Sequence, residues 1–400
     1  MNLRGLLTKS NFLWTVSLYV LIVTLVDFYI TRNFDNSIVF GRNSITDDGA
    51  SYAFKTFQMR FGDSVASMQN ADKLITSWWS RKDYLPESTQ SYLSFYSEYS
   101  YSLYGPRLLF PLLAALSISY LGFFSFFVPI IISFIIIWYI LISKINQNNP
   151  LLGLTIVLLL FTSNFFKKSV LAVHGVDILL CVFLLIYFKI SVKPNLRLAD
   201  RFLLILVAAL GSLSRPSVHF WIILSAIELF RVVLTETKLA RLNKFIKCTM
   251  ALLPAITSLT LFIVLDSIWN SQETGKVMGV HPLFKGDLSI LQSLQLIFRI
   301  ILLDILTMST KEITLFILAL VSIFIAINFL YMSKTSTEFW EAMFFVGIII
   351  GVCINTIIVS ADTSGLRYWM PLFPIAAYFI INNQKKLELI AKGFYYRIND

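Results

Sequence analysis

Long apolar segments recur along this chain and leave few folds open to it. Runs of about 15–22 apolar residues recur between residues 14 and 381, close to the roughly 20 that a helix needs to cross a bilayer. Of all residues, 57% are hydrophobic and only 14% are charged, well below the charged fraction of a soluble domain. In lipid each backbone group needs a partner, and continuous rather than alternating runs predict helices instead of a barrel. The predicted fold is therefore all-α, a polytopic transmembrane helical bundle.

The surplus of basic residues orients the chain across the membrane and does not indicate a nucleic-acid partner. The formal net charge is +10, but Lys and Arg lie mainly in short loops between apolar runs. Placing the basic loops 189–201 and 238–247 inside satisfies the preference for cytoplasmic positive charge. This orientation predicts about ten spans with both ends of the chain cytoplasmic, and a model with twelve spans is the alternative. The predicted setting is a bacterial cytoplasmic membrane.

The chain is predicted to form one integral membrane domain. A first span at residues 12–30 precedes a long extracytoplasmic loop at 31–106, then a helical membrane core at 107–382 and a basic cytoplasmic tail at 383–400. Apolar residues near a helical period predict two surface helices within the loop. These surface helices are predicted near residues 50–61 and 64–79.

The apolar run at 108–142 is too long for one span and awkward for two. It predicts an embedded helix at 108–120, a break near Gly122 and a span at 124–143. The segment 288–306 carries Arg299 and Asp304, so it is placed at the outer surface. The remaining spans are predicted near residues 151–165, 173–188, 202–213, 218–234, 245–268, 313–331, 339–359 and 366–381.

The predicted topology collects ionisable residues at the outer face. Such groups are costly at membrane depth and tend to face one another or a wet cavity. Carboxylates and cations together there predict a cleft for an anionic ligand with an acid–base group beside it. The candidates are Asp47, Asp48, Arg107, His174, Asp177, Arg215 and Arg367.

Each candidate also has a purely structural explanation. Asp47 or Asp48 could cap the helix that follows, although a cap requires only one of them. The helix dipole favours a carboxylate at Asp177, and Arg107 and Arg367 could be interfacial anchors. The chain contains no GxxxxGK[ST], GxGxxG, HExxH or GxSxG motif and no CxxC pair, so nucleotide-dependent and zinc chemistry have no support in the sequence.

Four stretches of the chain resemble the GT-C superfamily of polytopic membrane glycosyltransferases. An acidic motif follows the first span, and a Tyr-rich stretch with Pro and Arg ends the long outer loop. An Asp precedes a span in a second outer loop, and an Arg-Tyr pair opens a late span with prolines behind it. These stretches are residues 47–52 (DDGASY), 101–111 (YSLYGPRLLFP), 172–177 (AVHGVD) and 367–374 (RYWMPLFP).

The resemblance implies transfer of a sugar from a polyprenyl-phosphate carrier to a glycan, lipid or protein acceptor on the outer face. It implies that Asp47 or Asp48 acts as general base, or holds the acceptor or a metal. Arg367, with Arg215 or Arg107, would hold the carrier phosphate. The implied substrate site also includes His174, Asp177 and Tyr368. A divalent metal ion is the one possible cofactor that the resemblance implies.

Two other functions stay open at this point. A transporter or flippase of a lipid-linked or anionic substrate would line a path through the bilayer with charged residues. The sequence instead predicts spans nearly free of central charge, with the polar residues gathered at the outer face, which favours surface chemistry. A non-catalytic membrane assembly partner is the third interpretation.

Overall fold

A computed structural model describes most of the membrane core and one helix of the preceding loop. No strand occurs among the described residues, which confirms the all-α prediction. The predicted segments 12–30, 64–79 and 288–306 lie outside them apart from isolated positions. The residues described are 47–62, 107–145, 150–163, 175–215, 217–235, 241–269, 310–331, 336–359 and 369–399, with isolated positions elsewhere.

The regular elements in these ranges are helices throughout. A 3₁₀ segment, Gly122–Phe127, connects the second and third α-helices. In chain order the α-helices are α1 (Asp47–Phe61), α2 (Leu109–Leu121), α3 (Val128–Ile142), α4 (Pro150–Thr162), α5 (Gly175–Ser191), α6 (Leu198–Ser214), α7 (Val218–Thr235), α8 (Arg241–Trp269), α9 (Thr310–Leu330), α10 (Thr337–Val359) and α11 (Leu372–Asn399).

Several of these helices are suited to a membrane. By length and composition, five described segments can cross one, and α2 and α4 are shorter apolar helices. Large apolar side chains such as Leu116, Phe245 and Phe324 are exposed on the bundle, as expected where lipid replaces water. The five segments are Ser125–Ile142, Val218–Thr235, Arg241–Leu265, Ile313–Leu330 and Thr337–Asn355.

The break predicted near Gly122 is confirmed. Helix α2 ends at Leu121, and Gly122 adopts a φ of 54°, a region that glycine enters without a steric penalty. The 3₁₀ segment follows, and α3 begins at Val128 with Pro129 in its first turn. The long apolar run therefore forms two separate helices.

Two glycines leave room for aromatic side chains of α7, and one of them lies at the contact of α7 with α10. A Cβ atom at Gly351 of α10 would lie 2.3 Å from Phe220 Cδ1, and one at Gly211 of α6 would lie 2.3 Å from Trp221 Cζ2. Small residues at such positions let helix backbones approach in membranes, where packing drives helix association. The start of α7 consequently packs on the second half of α10, and its Trp221 ring occupies the space beside Gly211 of α6.

The last helix continues beyond the apolar run of the sequence. The sequence predicts a span at 366–381 and a basic tail at 383–400, and α11 runs through both as one helix from Leu372 to Asn399. Beyond the apolar part, Asn383 is 1% exposed, and its Nδ2 donates a 2.9 Å hydrogen bond to Glu341 Oε1 of α10. A buried polar contact thus keeps α11 packed where hydrophobic periodicity stops.

Candidate functional site

The predicted outer-face residues that the structure describes lie where several helices begin or end. We call this region the outer end, following the predicted sidedness. Helix α5 begins there at Gly175, α6 ends at Ser214, α7 begins at Val218 and α10 ends at Val359. The apolar helix α2 contacts both α5 and α6.

Asp177 and Arg215, both predicted as site residues, form an ion pair. Arg215 Nη1 lies against Asp177 Oδ1, and the two residues are only 4% and 3% exposed. Removing two charges from solvent is costly unless they neutralise each other. The pair therefore fixes the beginning of α5 to the end of α6 within the buried part of the outer end.

A hydrogen bond joins two of the stretches that carry the family resemblance. Arg107 Nη1 donates to the hydroxyl of Tyr52 over 2.9 Å, and Tyr52 is completely buried. The Tyr52 ring packs edge-on against Phe110 at 5.4 Å between centroids. Farther along, Arg60 Nε donates to Ser119 Oγ over 3.0 Å. These contacts show that α1 runs parallel to α2.

The register of α1 distinguishes the two aspartates by position. The helix begins at Asp47, three residues earlier than predicted, so both aspartates belong to its first turn. Position 48 is one turn before Tyr52 and two turns before Lys55, on the face that α1 buries. Position 47 lies about 140° around the helix axis from Tyr52. Only Asp48 therefore shares a face with the residues that pack toward α2.

Lys55 is a buried cation on that face which the sequence does not single out. It is 4% exposed, and burial lowers the pKa of its ammonium group to about 7. Desolvation disfavours the charged form, which explains the direction of the shift. In the sequence, a lysine in a predicted surface helix is expected to be exposed to solvent. Only the packing of α1 shows that this side chain is buried.

This lowered pKa predicts a pH dependence of stability. Between the folded pKa of about 7 and the ordinary value of 10.5, the unfolded chain binds more protons at this side chain than the folded chain. Stability from this group therefore rises as pH increases across that window. Lys55→Met should flatten this part of a melting-temperature profile measured in detergent from pH 7 to 10. An unchanged slope in the variant would contradict the assignment.

His219 and Asn355 are further polar residues of the outer end that the sequence analysis missed. The His219 imidazole hydrogen-bonds the backbone of Gly351 and interacts electrostatically with Arg215. Its Nε2 atom is buried and has no hydrogen-bond partner among the described residues, and the same holds for Asn355 Nδ2. The sequence signal that could have identified both residues is a polar side chain inside an apolar span. Such a side chain is costly to bury unless it has a partner or a function.

The opposite end of the bundle also contains buried charge, which differs from the expectation of spans nearly free of charge with polar residues gathered at the outer face. Arg201 Nη1 lies 3.0 Å from Glu228 Oε1, and Arg231 Nη2 lies 2.6 Å from Glu228 Oε2. Arg231 also donates to the carbonyl of Ser191 at the end of α5, and its guanidinium stacks 5.5 Å from the centre of the Phe344 ring. We call Arg201, Glu228 and Arg231 the inner triad.

Several predicted site features lie outside what the structure describes. These are His174, Arg367, Tyr368 and the side chains of Asp47 and Asp48. Among the side chains that are described, no group of three or more His, Cys, Asp or Glu residues could hold a metal ion. The described part of the site thus offers cations, a neutralised carboxylate and amide or imidazole groups, but no metal-ligand set.

Comparison of the chain with protein-family models, curated proteins and solved structures gives no match.

Proposed function

We propose that this protein is a membrane glycosyltransferase of the GT-C kind. It would move a sugar from a polyprenyl-phosphate carrier to a glycan, lipid or protein acceptor at the extracytoplasmic face of a bacterial cytoplasmic membrane. The observation that carries the proposal is the Tyr52–Arg107 hydrogen bond. It brings the acidic stretch and the Arg-containing stretch of the outer loop together beside the membrane core, as a shared site requires.

In the proposed reaction Asp48 is the general base. The acceptor hydroxyl gives its proton to the carboxylate, its oxygen forms a bond to the anomeric carbon of the sugar, and the bond from that carbon to the phosphate oxygen breaks. A base must lie within hydrogen-bond reach of the proton that it removes. The face that position 48 shares with Tyr52 supports Asp48 over Asp47 for this role.

The leaving group is the polyprenyl phosphate, which gains negative charge as the bond breaks. Fixed cations stabilise such charge most strongly in a site with little water. Arg107 and Arg367 are the proposed phosphate ligands. Arg215 is neutralised by Asp177, so we assign that pair to positioning α5 and α6 at the base of the site.

The proposal is tested with the purified full-length protein in lipid nanodiscs. The protein is incubated with short polyprenyl phosphates that carry different single sugars, and release of sugar-free polyprenyl phosphate is followed by mass spectrometry. We expect catalytic release from at least one donor, stimulated by a suitable acceptor. Binding of these lipids without release from any donor, with or without acceptors, would contradict a transferase.

The inner triad supports transport of a lipid-linked or anionic substrate as a second candidate function. Buried charge at both ends of one bundle is compatible with a path through the membrane. Reconstituted vesicles that contain a fluorescent, sugar-bearing polyprenyl phosphate distinguish the two functions. A transporter would equilibrate the lipid between leaflets without cleaving it, whereas the proposed transferase would consume the sugar-bearing lipid in the outer leaflet only.

A further inference from the structure

We infer that His219 and Asn355 bind a hydroxyl group of the donor sugar, an inference that rests on the proposed transferase function. Neither residue takes part in the proposed acid–base chemistry or in phosphate binding. They come from two helices, α7 and α10, that meet at the outer end beside the Asp177–Arg215 pair. We infer that the sugar of a carrier lipid occupies this region, at the end of the bundle where His219 interacts electrostatically with Arg215.

Gly351 places both residues at one contact between α7 and α10. The His219 ring reaches the Gly351 backbone, and Phe220 occupies the space that a Cβ atom of Gly351 would need. Asn355 is one helical turn beyond Gly351 on the same face of α10, about 6 Å along the helix axis. Its side chain is therefore directed to the same α7–α10 contact, and the residue is 3% exposed.

The free hydrogen-bonding atoms are complementary to a hydroxyl group. Within α10 the backbone N–H of Gly351 is already used by the helix, so the imidazole donates to the Gly351 carbonyl. In the neutral ring the remaining nitrogen, Nε2, is then an acceptor, whereas Asn355 Nδ2 is a donor. A sugar hydroxyl both donates and accepts, so its chemistry matches the acceptor of His219 and the donor of Asn355.

A purely structural role does not explain why both atoms are left without partners. A buried amide or imidazole nitrogen without a hydrogen bond costs free energy, and apolar residues at these positions would avoid that cost. Sites that bind ligands commonly keep groups that destabilise the protein without its ligand. The arrangement therefore predicts opposite effects of one substitution on stability and on sugar binding.

The test compares wild type, Asn355→Leu and His219→Phe in nanodiscs. Asn328→Leu is the matched control, because Asn328 is exposed on α9 and its Nδ2 donates only to its own helix, at Phe324. Binding is measured for farnesyl phosphate and for farnesyl phosphates that carry glucose, galactose, mannose or arabinose. Melting temperature without lipid is measured for each protein.

We expect wild type to bind at least one sugar-bearing lipid more tightly than farnesyl phosphate. Each site variant should reduce this preference by about 3- to 10-fold, as loss of one hydrogen bond predicts. Affinity for farnesyl phosphate should not change, and the melting temperature of Asn355→Leu should equal or exceed that of wild type. Asn328→Leu should keep the full preference.

Five results would contradict one or both proposals, and one of them also uses the release assay described above. Equal binding of sugar-bearing and sugar-free lipids by wild type, or an unchanged preference in both site variants, overturns the sugar site. Equal weakening of both lipids together with a lower melting temperature shows a structural role and also overturns it. Sugar preference without any turnover overturns the transferase proposal, while no binding of any farnesyl phosphate overturns both.

Discussion

Replacement of Asp48 by Asn should lower the rate of sugar transfer by about 10²- to 10⁴-fold, the usual contribution of a positioned general base. The amide keeps the size of the carboxylate but cannot take the proton of the acceptor. Binding of the sugar-bearing lipid should change little, because the phosphate ligands are retained. The rate is measured as release of sugar-free polyprenyl phosphate at saturating donor.

Asp47→Asn is the matched control for this substitution. Both residues lie in the first turn of α1, so both variants lose the same favourable interaction with the helix dipole. Position 47 is on a different face of the helix from Tyr52, and its loss should reduce the rate by less than about tenfold. Equal effects of the two variants would show that the register argument does not identify the base.

Replacement of Glu228 by Ala should lower the free energy of unfolding by about 3–5 kcal/mol, the usual cost of removing one partner from a buried ion pair. Glu228 is 1% exposed and is the counter-charge of both Arg201 and Arg231. Without it, two guanidinium groups stay buried between α6 and α7. Reversible unfolding in a denaturing detergent provides the measurement.

Glu338→Ala serves as the control for the inner triad. Glu338 pairs with Lys386, a side chain that is 45% exposed, and exposed ion pairs contribute at most about 1 kcal/mol. Glu228→Gln should have an intermediate effect, because it keeps hydrogen-bond acceptance but loses the charge. A loss of stability no greater for Glu228→Ala than for Glu338→Ala would show that the triad is not a structural element.

The helical class could be predicted from the sequence because an apolar run of this length leaves the backbone few alternatives in lipid. The break at Gly122 was predictable for a related reason, since the run was too long for one helix and contained a residue tolerant of positive φ. Asp177 and Arg215 were both expected at the outer face, but their pairing depends on how α5 packs on α6. No periodic pattern within one helix encodes such a contact.

The buried charged residues show that hydropathy does not predict which charged side chains are buried. Arg201 was counted among the basic loop residues because it follows other charges, whereas α6 begins at Leu198 and buries it against Glu228. Glu228 and Arg231 are three residues apart and could have been read as a pair on one helix face. In α11, Lys385 and Lys386 indicated a basic tail after the apolar run. The packing of Asn383 on Glu341 is a long-range contact, so the sequence pattern does not show that this segment packs on α10.

The most direct test of the central claim is made in a cell that depends on this protein for a surface glycan. A deletion strain is complemented with wild type, Asp48→Asn or Asn328→Leu, membrane levels are matched, and the sugars of the cell envelope are profiled. We predict that deletion removes one sugar, that wild type and Asn328→Leu restore it, and that Asp48→Asn does not. Restoration by Asp48→Asn at normal abundance, or a profile that deletion leaves unchanged, would contradict the account.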